Sequence, residues 1–309
     1  MKRAFSGTVS TGLACGAGAY FLWGLFPAYF SLLDGVGAVE VLAARIVFTL
    51  AVMLIVLAVL GRLREMRGIA GRTWMLAAAA SAAISLNWGT YVYGVTSDQV
   101  VQCALGYFIN PLVSVTLGVV LFRERLTRAQ IFAVVLGAVA VTVLTVDYGS
   151  PPIIALTLAL SFATYGLIKK VVPLDPLRSL TAEGIVAVPF ALGYMVFLGI
   201  AGTGAFITDG FGTTMLLIGC GPVTTIPLLL FGAAAQRVPL STMGLLQYLT
   251  PALQMAYGIT IGHESMPASR WIGFALIWAA LAVFSTDALI RSRRTARVKR
   301  ADVENPAVP

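Results

Sequence analysis

The amino-acid sequence predicts an all-α integral membrane protein, with ten transmembrane helices in two inverted five-helix repeats and both termini cytoplasmic. Three observations predict it: an extreme apolar composition, a one-sided distribution of basic residues, and a weak internal repeat. Of 309 residues, 59% are hydrophobic and 11% charged, with a mean hydropathy of +0.90, where soluble domains carry roughly 25% charge. Ten helices of about 20 residues, each long enough to cross a hydrocarbon core of roughly 30 Å, would occupy about two-thirds of the chain. Nothing is left for a sizeable extramembrane domain.

Apolar stretches of helix length, bounded by Gly, Pro or charge, mark the ten spans in order. The first, 12–33, is too long for a signal-peptide core, contains Trp23 and Pro27, and reads as a retained span. The second, 38–60, carries Glu40 and Arg45 and stops at Gly61-Arg62; the third, 73–95, follows Arg72. The fourth, 99–121, contains Pro111 and ends at Arg123, and the fifth, 129–146, runs from Arg128 to Asp147. Pro151-Pro152 opens the sixth, 151–170, which closes on Lys169-Lys170. The seventh, 180–201, follows Arg178 and stops at Gly202, and the eighth, 212–233, precedes Arg237. The ninth, 239–261, contains Pro251, and the tenth, 270–290, ends at Arg291. Beyond it lies a basic tail, 291–309, expected to be disordered.

With the N-terminus placed in the cytoplasm, 19 of the 21 Lys and Arg residues fall on the inner side. Only Arg45 and Arg270 remain outside, and removing any one span degrades the split. The net charge of +8 therefore reads as membrane orientation; its scattered clusters do not form a nucleic-acid-binding face. At an offset of 140 residues, Pro111, Gly118 and Glu124 fall on Pro251, Gly258 and Glu264. An offset of five helices reverses each matched span, which makes the repeat an inverted one. The boundaries drawn are 1–146 and 147–290.

The absences limit the chemistry. No Lys lies in a phosphate-binding G-x-x-x-x-G-K context, and the only carboxylates within four residues of each other, Asp302 and Glu304, sit in the tail. Cys15, Cys103 and Cys220 have no metal-ligand or disulfide spacing, and the single histidine, His263, falls in an external loop. No cofactor, metal or enzymatic activity is expected.

Polar and aromatic residues inside the spans are the candidates instead. Arg45 reads either as a snorkelling side chain or as a group facing a cavity, and its spacing from Glu40 turns the two about 140° apart. Asn87 and Tyr91 share a face of the third span. Tyr107 and Asn110 precede Pro111, and Gln247 and Tyr248 precede Pro251, so polar groups sit beside helix-distorting prolines at matched depths. With Trp23 and Arg45 they form the expected substrate site. Glu40 and Glu183, at opposite ends of the two halves, are the candidates for proton coupling. Glu124 and Glu264 read as solvated loop carboxylates.

The segments LNWGTYVYGV (86–95), ALGYFINPLVSVTLGVVLFRERL (104–126), LSFATYGLIKK (160–170) and TTIPLLLFGAAAQRVPLSTMGLLQYLTPALQ (224–254) resemble the RarD family. That family lies in the EamA group of the drug/metabolite transporter superfamily. The resemblance runs from about Ala19 to Asp287 and implies ten helices in two inverted repeats, a bacterial cytoplasmic (inner) membrane location and a permease function. Family members are often labelled chloramphenicol-sensitivity or resistance permeases. One position departs: Ala44 stands where the family pattern leads us to expect a histidine, which shifts any coupling role to Glu40 or Glu183. The expected function is a secondary active transporter, an exporter of a small amphipathic metabolite or drug, acting as a monomer or weak homodimer. A passive facilitator or channel is the runner-up.

Overall fold

The computed structural model describes residues 2–122, 126–235, 237–238, 243 and 246–304. Its regular structure among these residues is helical. The long helices are α1 (Lys2–Gly24), α3 (Ala38–Val59), α4 (Gly71–Thr96), α5 (Val100–Phe122), α6 (Arg128–Tyr148), α7 (Ile153–Val171), α8 (Pro176–Ala201), α10 (Gly210–Ala235) and α12 (Ala268–Glu304). Shorter ones are α2 (Phe26–Phe30), α9 (Ala205–Thr208) and α11 (Leu249–Thr260).

Local chemistry explains the boundaries. Thr127 and Gln130 form a reciprocal capping box at the start of α6, and Asp175 caps α8 ahead of a proline at its first position. Gly149 and Gly202, at φ +70° and +68°, end α6 and α8 in the left-handed conformation that side chains resist. The span predicted at 12–33 is bent by 42° at Leu25, just ahead of Pro27. The last helix runs to Glu304, past the point where a disordered tail was expected. Residues 291–304 contain no Gly or Pro and several strong helix formers.

Among the described residues, six helices are long and apolar enough to cross a membrane, or seven if the bent pair counts as one span. The prediction of ten exceeds this for a physical reason. Helix α4 carries Ser81, Asn87 and Thr90 and packs against α3, α7 and α8, so neighbouring protein stands in for lipid on much of its surface. Helix α7 is short and ends at a lysine pair, and most of 239–245 lies outside the described residues. Large apolar side chains such as Phe190, Phe211 and Ile200 are 79–84% exposed, as a lipid-facing surface requires.

The packing follows a regular pattern. Helix α1 lies on α10 as α7 lies on α4; α3 meets α10 as α8 meets α4; α1 touches α11 as α7 touches α5. The remaining major contacts are α3 with α8, α5 with α11 and α6 with α12. Helices α3 and α8 run in opposite directions. Arg62, just beyond the end of α3, pairs with Asp175 at the start of α8 at 3.0 Å, and Glu40 at the start of α3 meets Ala205, just past the end of α8. One buried apolar cluster (Phe26, Phe30, Tyr91, Leu158, Leu217, Cys220) joins α2, α4, α7 and α10. A second (Leu105, Phe108, Leu144, Phe274, Ile277) joins α5, α6 and α12.

Candidate functional site

Arg45 sits two turns into α3 and points inward. The residue is 3% exposed, so it does not snorkel. Its Nε donates to Thr224 Oγ1 on α10 at 2.9 Å. The guanidinium carbon lies 5.3 Å from the ring centres of both Phe26 and Phe30, and 4.2 Å from that of Trp88. Three aromatic faces thus supply cation–π attraction where water is excluded. This arrangement depends on a close crossing: a Cβ at Gly221 would stand 2.5 Å from the carbonyl oxygen of Phe48, so only glycine lets α10 approach α3 there. Thr224 follows about one turn later.

Asn87 links α4 to α7. Its Nδ2 donates to the carbonyl oxygen of Leu158 at 3.0 Å and to Ser161 Oγ at 3.1 Å, while its Oδ1 accepts from the Tyr107 hydroxyl at 3.3 Å. It is a helix-joining amide that also orients a site tyrosine. The Tyr91 ring packs 5.9 Å from Tyr107 and 6.1–6.4 Å from Phe30 and Phe26. Arg45, Asn87, Tyr91 and Tyr107 therefore form one cluster.

Of the other predicted residues, Trp23 packs against the same apolar cluster as Tyr107, the one that holds Phe26, Phe30 and Tyr91. Trp23 packs with Tyr20 and Phe231 at 5.4 and 5.8 Å, and its carbonyl oxygen accepts from Gln254. Asn110 is half-buried, and its Oδ1 has no hydrogen-bond partner among the described residues. The Tyr248 hydroxyl lies 3.5 Å from Ser285 Oγ on α12, and its ring packs against the second apolar cluster. Gln247 is half-buried in the turn before α11. Sequence reading missed Phe26, Phe30 and Thr224. Their signals were present: two phenylalanines four apart around Pro27, and a Thr-Thr pair between Pro222 and Pro227.

The carboxylates mark the ends of the bundle. Glu40 is buried, and its two oxygens accept from the Ala205 and Phe206 N–H groups at 3.1 and 2.9 Å, at the start of α9. It faces a different neighbour from Arg45, as the spacing requires. An apolar groove of about 240 Å³, walled by Leu192, Met195, Val196 and Ile207, reaches Glu40 from the side. Glu183, near the other end, accepts from Lys169 Nζ at 2.7 Å, Ser179 Oγ at 2.8 Å and the Tyr165 hydroxyl at 3.1 Å. Glu264 is not simply a solvated loop residue: both of its oxygens accept from Val101 N–H at 3.1 Å at the start of α5. Burial outweighs these contacts and pushes its pKa up to about 7. Glu124 lies outside the described residues.

Comparison with known proteins places this geometry in a family. The pattern of the EamA-like transporter family matches twice, over residues 10–146 and 150–286. Protein RarD of Streptomyces exfoliatus is 50% identical over 96% of this chain and 94% of its own length. Uncharacterized transporter YojE of Bacillus subtilis is 40% identical over 86% and 91%, and protein RarD of Escherichia coli is 37% identical over 93% and 97%. A solved crystal structure aligns with a TM-score of 0.60 over 88% of this chain and 96% of that one, at 15% identity, a likeness of fold alone. With two copies of the family pattern and near full-length relatives, the chain belongs to the EamA-like transporter family, as a RarD-type permease of the membrane.

Proposed function

We propose that the protein is a secondary active transporter, an exporter of a small amphipathic metabolite or drug, working by alternating access in a bacterial cytoplasmic membrane. Its ten spans form two inverted halves, 1–146 and 147–290, with both termini inside. The observation that carries this reading is Arg45: a charge held inside the bundle where helices of both halves meet, α3 and α4 from the first and α10 from the second. Charges buried at membrane depth are costly and characteristically line substrate paths. The exchange of packing partners between halves supports the inverted repeat, because equivalent contacts can then seal either end in turn.

Coupling is assigned to the carboxylates. Glu40 belongs to the first half and holds the start of α9 in the second, so opening that end would release it to water and to protons. Glu183 makes the corresponding contacts near the opposite end. Purified protein in proteoliposomes should show saturable counterflow of a solute chosen by thermal stabilisation. Linear flux without trans-stimulation would favour the passive facilitator. Replacing Glu40→Gln should abolish uptake driven by a pH gradient while preserving exchange. Unchanged pH-driven uptake in that variant would remove Glu40 from the coupling step.

A further inference from the structure

Two donors in the Arg45 cluster have no acceptor. Arg45 Nη1 and the Tyr91 hydroxyl are both shielded from solvent and lack a hydrogen-bond partner among the described residues. Arg45 and Tyr91 are 3% and 2% exposed. They border the same two rings: Phe26 and Phe30 lie under the guanidinium at 5.3 Å and beside the Tyr91 ring at 6.4 and 6.1 Å. Buried polar groups are almost always satisfied, and two unsatisfied donors bordering one pair of rings are a pattern that an acceptor would complete.

The charge balance points the same way. A guanidinium can only donate and keeps its proton. Among the described residues the two buried acids are engaged elsewhere, Glu40 with α9 and Glu183 with Lys169, as are the half-buried Glu264 with Val101 and Asp147 with Arg270. None of the ion pairs described includes Arg45. Cation–π contacts offset part of its desolvation but bring no negative charge. Thr224 occupies Nε and leaves Nη1 without a partner among the described residues.

We infer that Arg45 and Tyr91 together receive one organic carboxylate, which makes the transported solute a monoanionic acid with an apolar body. A carboxylate has two oxygens for these two donors and one charge for one guanidinium. A cation would be repelled, and a dianion would leave one charge uncompensated. The rings of Phe26, Phe30 and Trp88 supply the apolar wall. The inference rests on the transporter reading and narrows its substrate to one chemical class.

The test uses purified full-length protein and an isosteric series: phenylacetate, its neutral amide phenylacetamide and the cation phenethylamine, with benzoate and 3-phenylpropionate to vary length and sodium chloride as an inorganic control. Stabilisation that tracks affinity is expected for at least one carboxylate and for neither the amide nor the amine. Tyr91→Phe removes only an oxygen that lacks a partner. It should melt no lower than the parent, yet bind the carboxylate about tenfold or more weakly, the loss of one hydrogen bond to a charged group. Arg45→Gln should abolish the response, with Arg45→Lys recovering part of it. The inference is overturned if the amide or amine stabilises as well as the acids, if chloride gives the same shift, if no carboxylate stabilises at millimolar concentration, or if Tyr91→Phe binds like the parent. Counterflow of a neutral or cationic solute, undiminished in Arg45→Gln, would overturn the carboxylate and leave the transporter reading standing.

Discussion

Arg45 and Glu264 differ in how far a residue's role can be read from its place in a helix. The spacing of Glu40 and Arg45 already separated their neighbours, but the sequence left Arg45 open between snorkelling and facing a cavity. Its actual partners, Thr224 and the rings of Phe26, Phe30 and Trp88, come from three other helices and required the fold. Glu264 was less legible. A carboxylate beside Gly262-His263 reads as a loop group, because nothing in one strand of sequence reports that the start of α5 is close enough for both oxygens to bind Val101 N–H. Its titration gives a signed prediction. The folded-state pKa of about 7 stands above the ordinary 4.5, so between those values the folded protein binds more proton than the unfolded chain. Stability from this group is complete below pH 4.5 and declines as pH rises towards 7. Melting curves should therefore show a fall over that interval in the parent that is diminished in Glu264→Gln. An identical slope in both proteins would show that Glu264 does not titrate there.

Among the elements, the end of α8 was legible at Gly202, where the seventh span stops, whereas the caps at Thr127 and Asp175 and the left-handed Gly149 were not read, and the seventh span was drawn from 180, past the Asp175 cap. The bend before Pro27 was signalled by the proline, whereas the short helix α9 was not, since four residues carry no periodicity. Close crossings were also hidden: Gly221 looks like any other glycine in an apolar run until α3 is placed against it. A Cβ there would stand 2.5 Å from the Phe48 carbonyl oxygen and 2.7 Å from its carbon, both rigid backbone atoms. Gly221→Ala should thus push α10 off α3, lengthen the Arg45–Thr224 hydrogen bond and lower stability by about 1–3 kcal/mol, the usual cost of overpacking. Gly193→Ala is the matched control, because a Cβ on that glycine of α8 meets nothing within 4 Å. Thermal melts of the two variants should separate clearly, and equal melts would show that the α3–α10 crossing yields without cost.

For the whole molecule, the repeat is fainter in the residues than in the packing. Apolar helices match one another by chance, so the Pro-x6-Gly-x5-Glu correspondence is thin, yet the contacts of α1, α3 and α7 recur when the halves are exchanged. The same exchange sends the Glu40 end of α3 to the Glu183 end of α8, which run antiparallel, and the inverted repeat proposed above would fix the orientation once a side is chosen for one loop. The distribution of basic residues makes that choice: the end holding Arg62, Arg64 and Arg178 should be cytoplasmic, and the end holding Glu40, Glu264 and Arg270 should face out. Thr203, exposed between α8 and α9, then lies outside, while Ser292 in the last helix lies inside. Cys103 and Cys220 are buried and only Cys15 is partly accessible, so Cys15→Ser gives a quiet background. An impermeant thiol reagent applied to intact cells should label Thr203→Cys and spare Ser292→Cys until the membrane is opened. The reverse pattern would invert the protein and exchange the sides assigned to Glu40 and Glu183, and labelling of both would place Thr203 and Ser292 on the same side, which an even number of crossings between them requires and the three drawn here forbid.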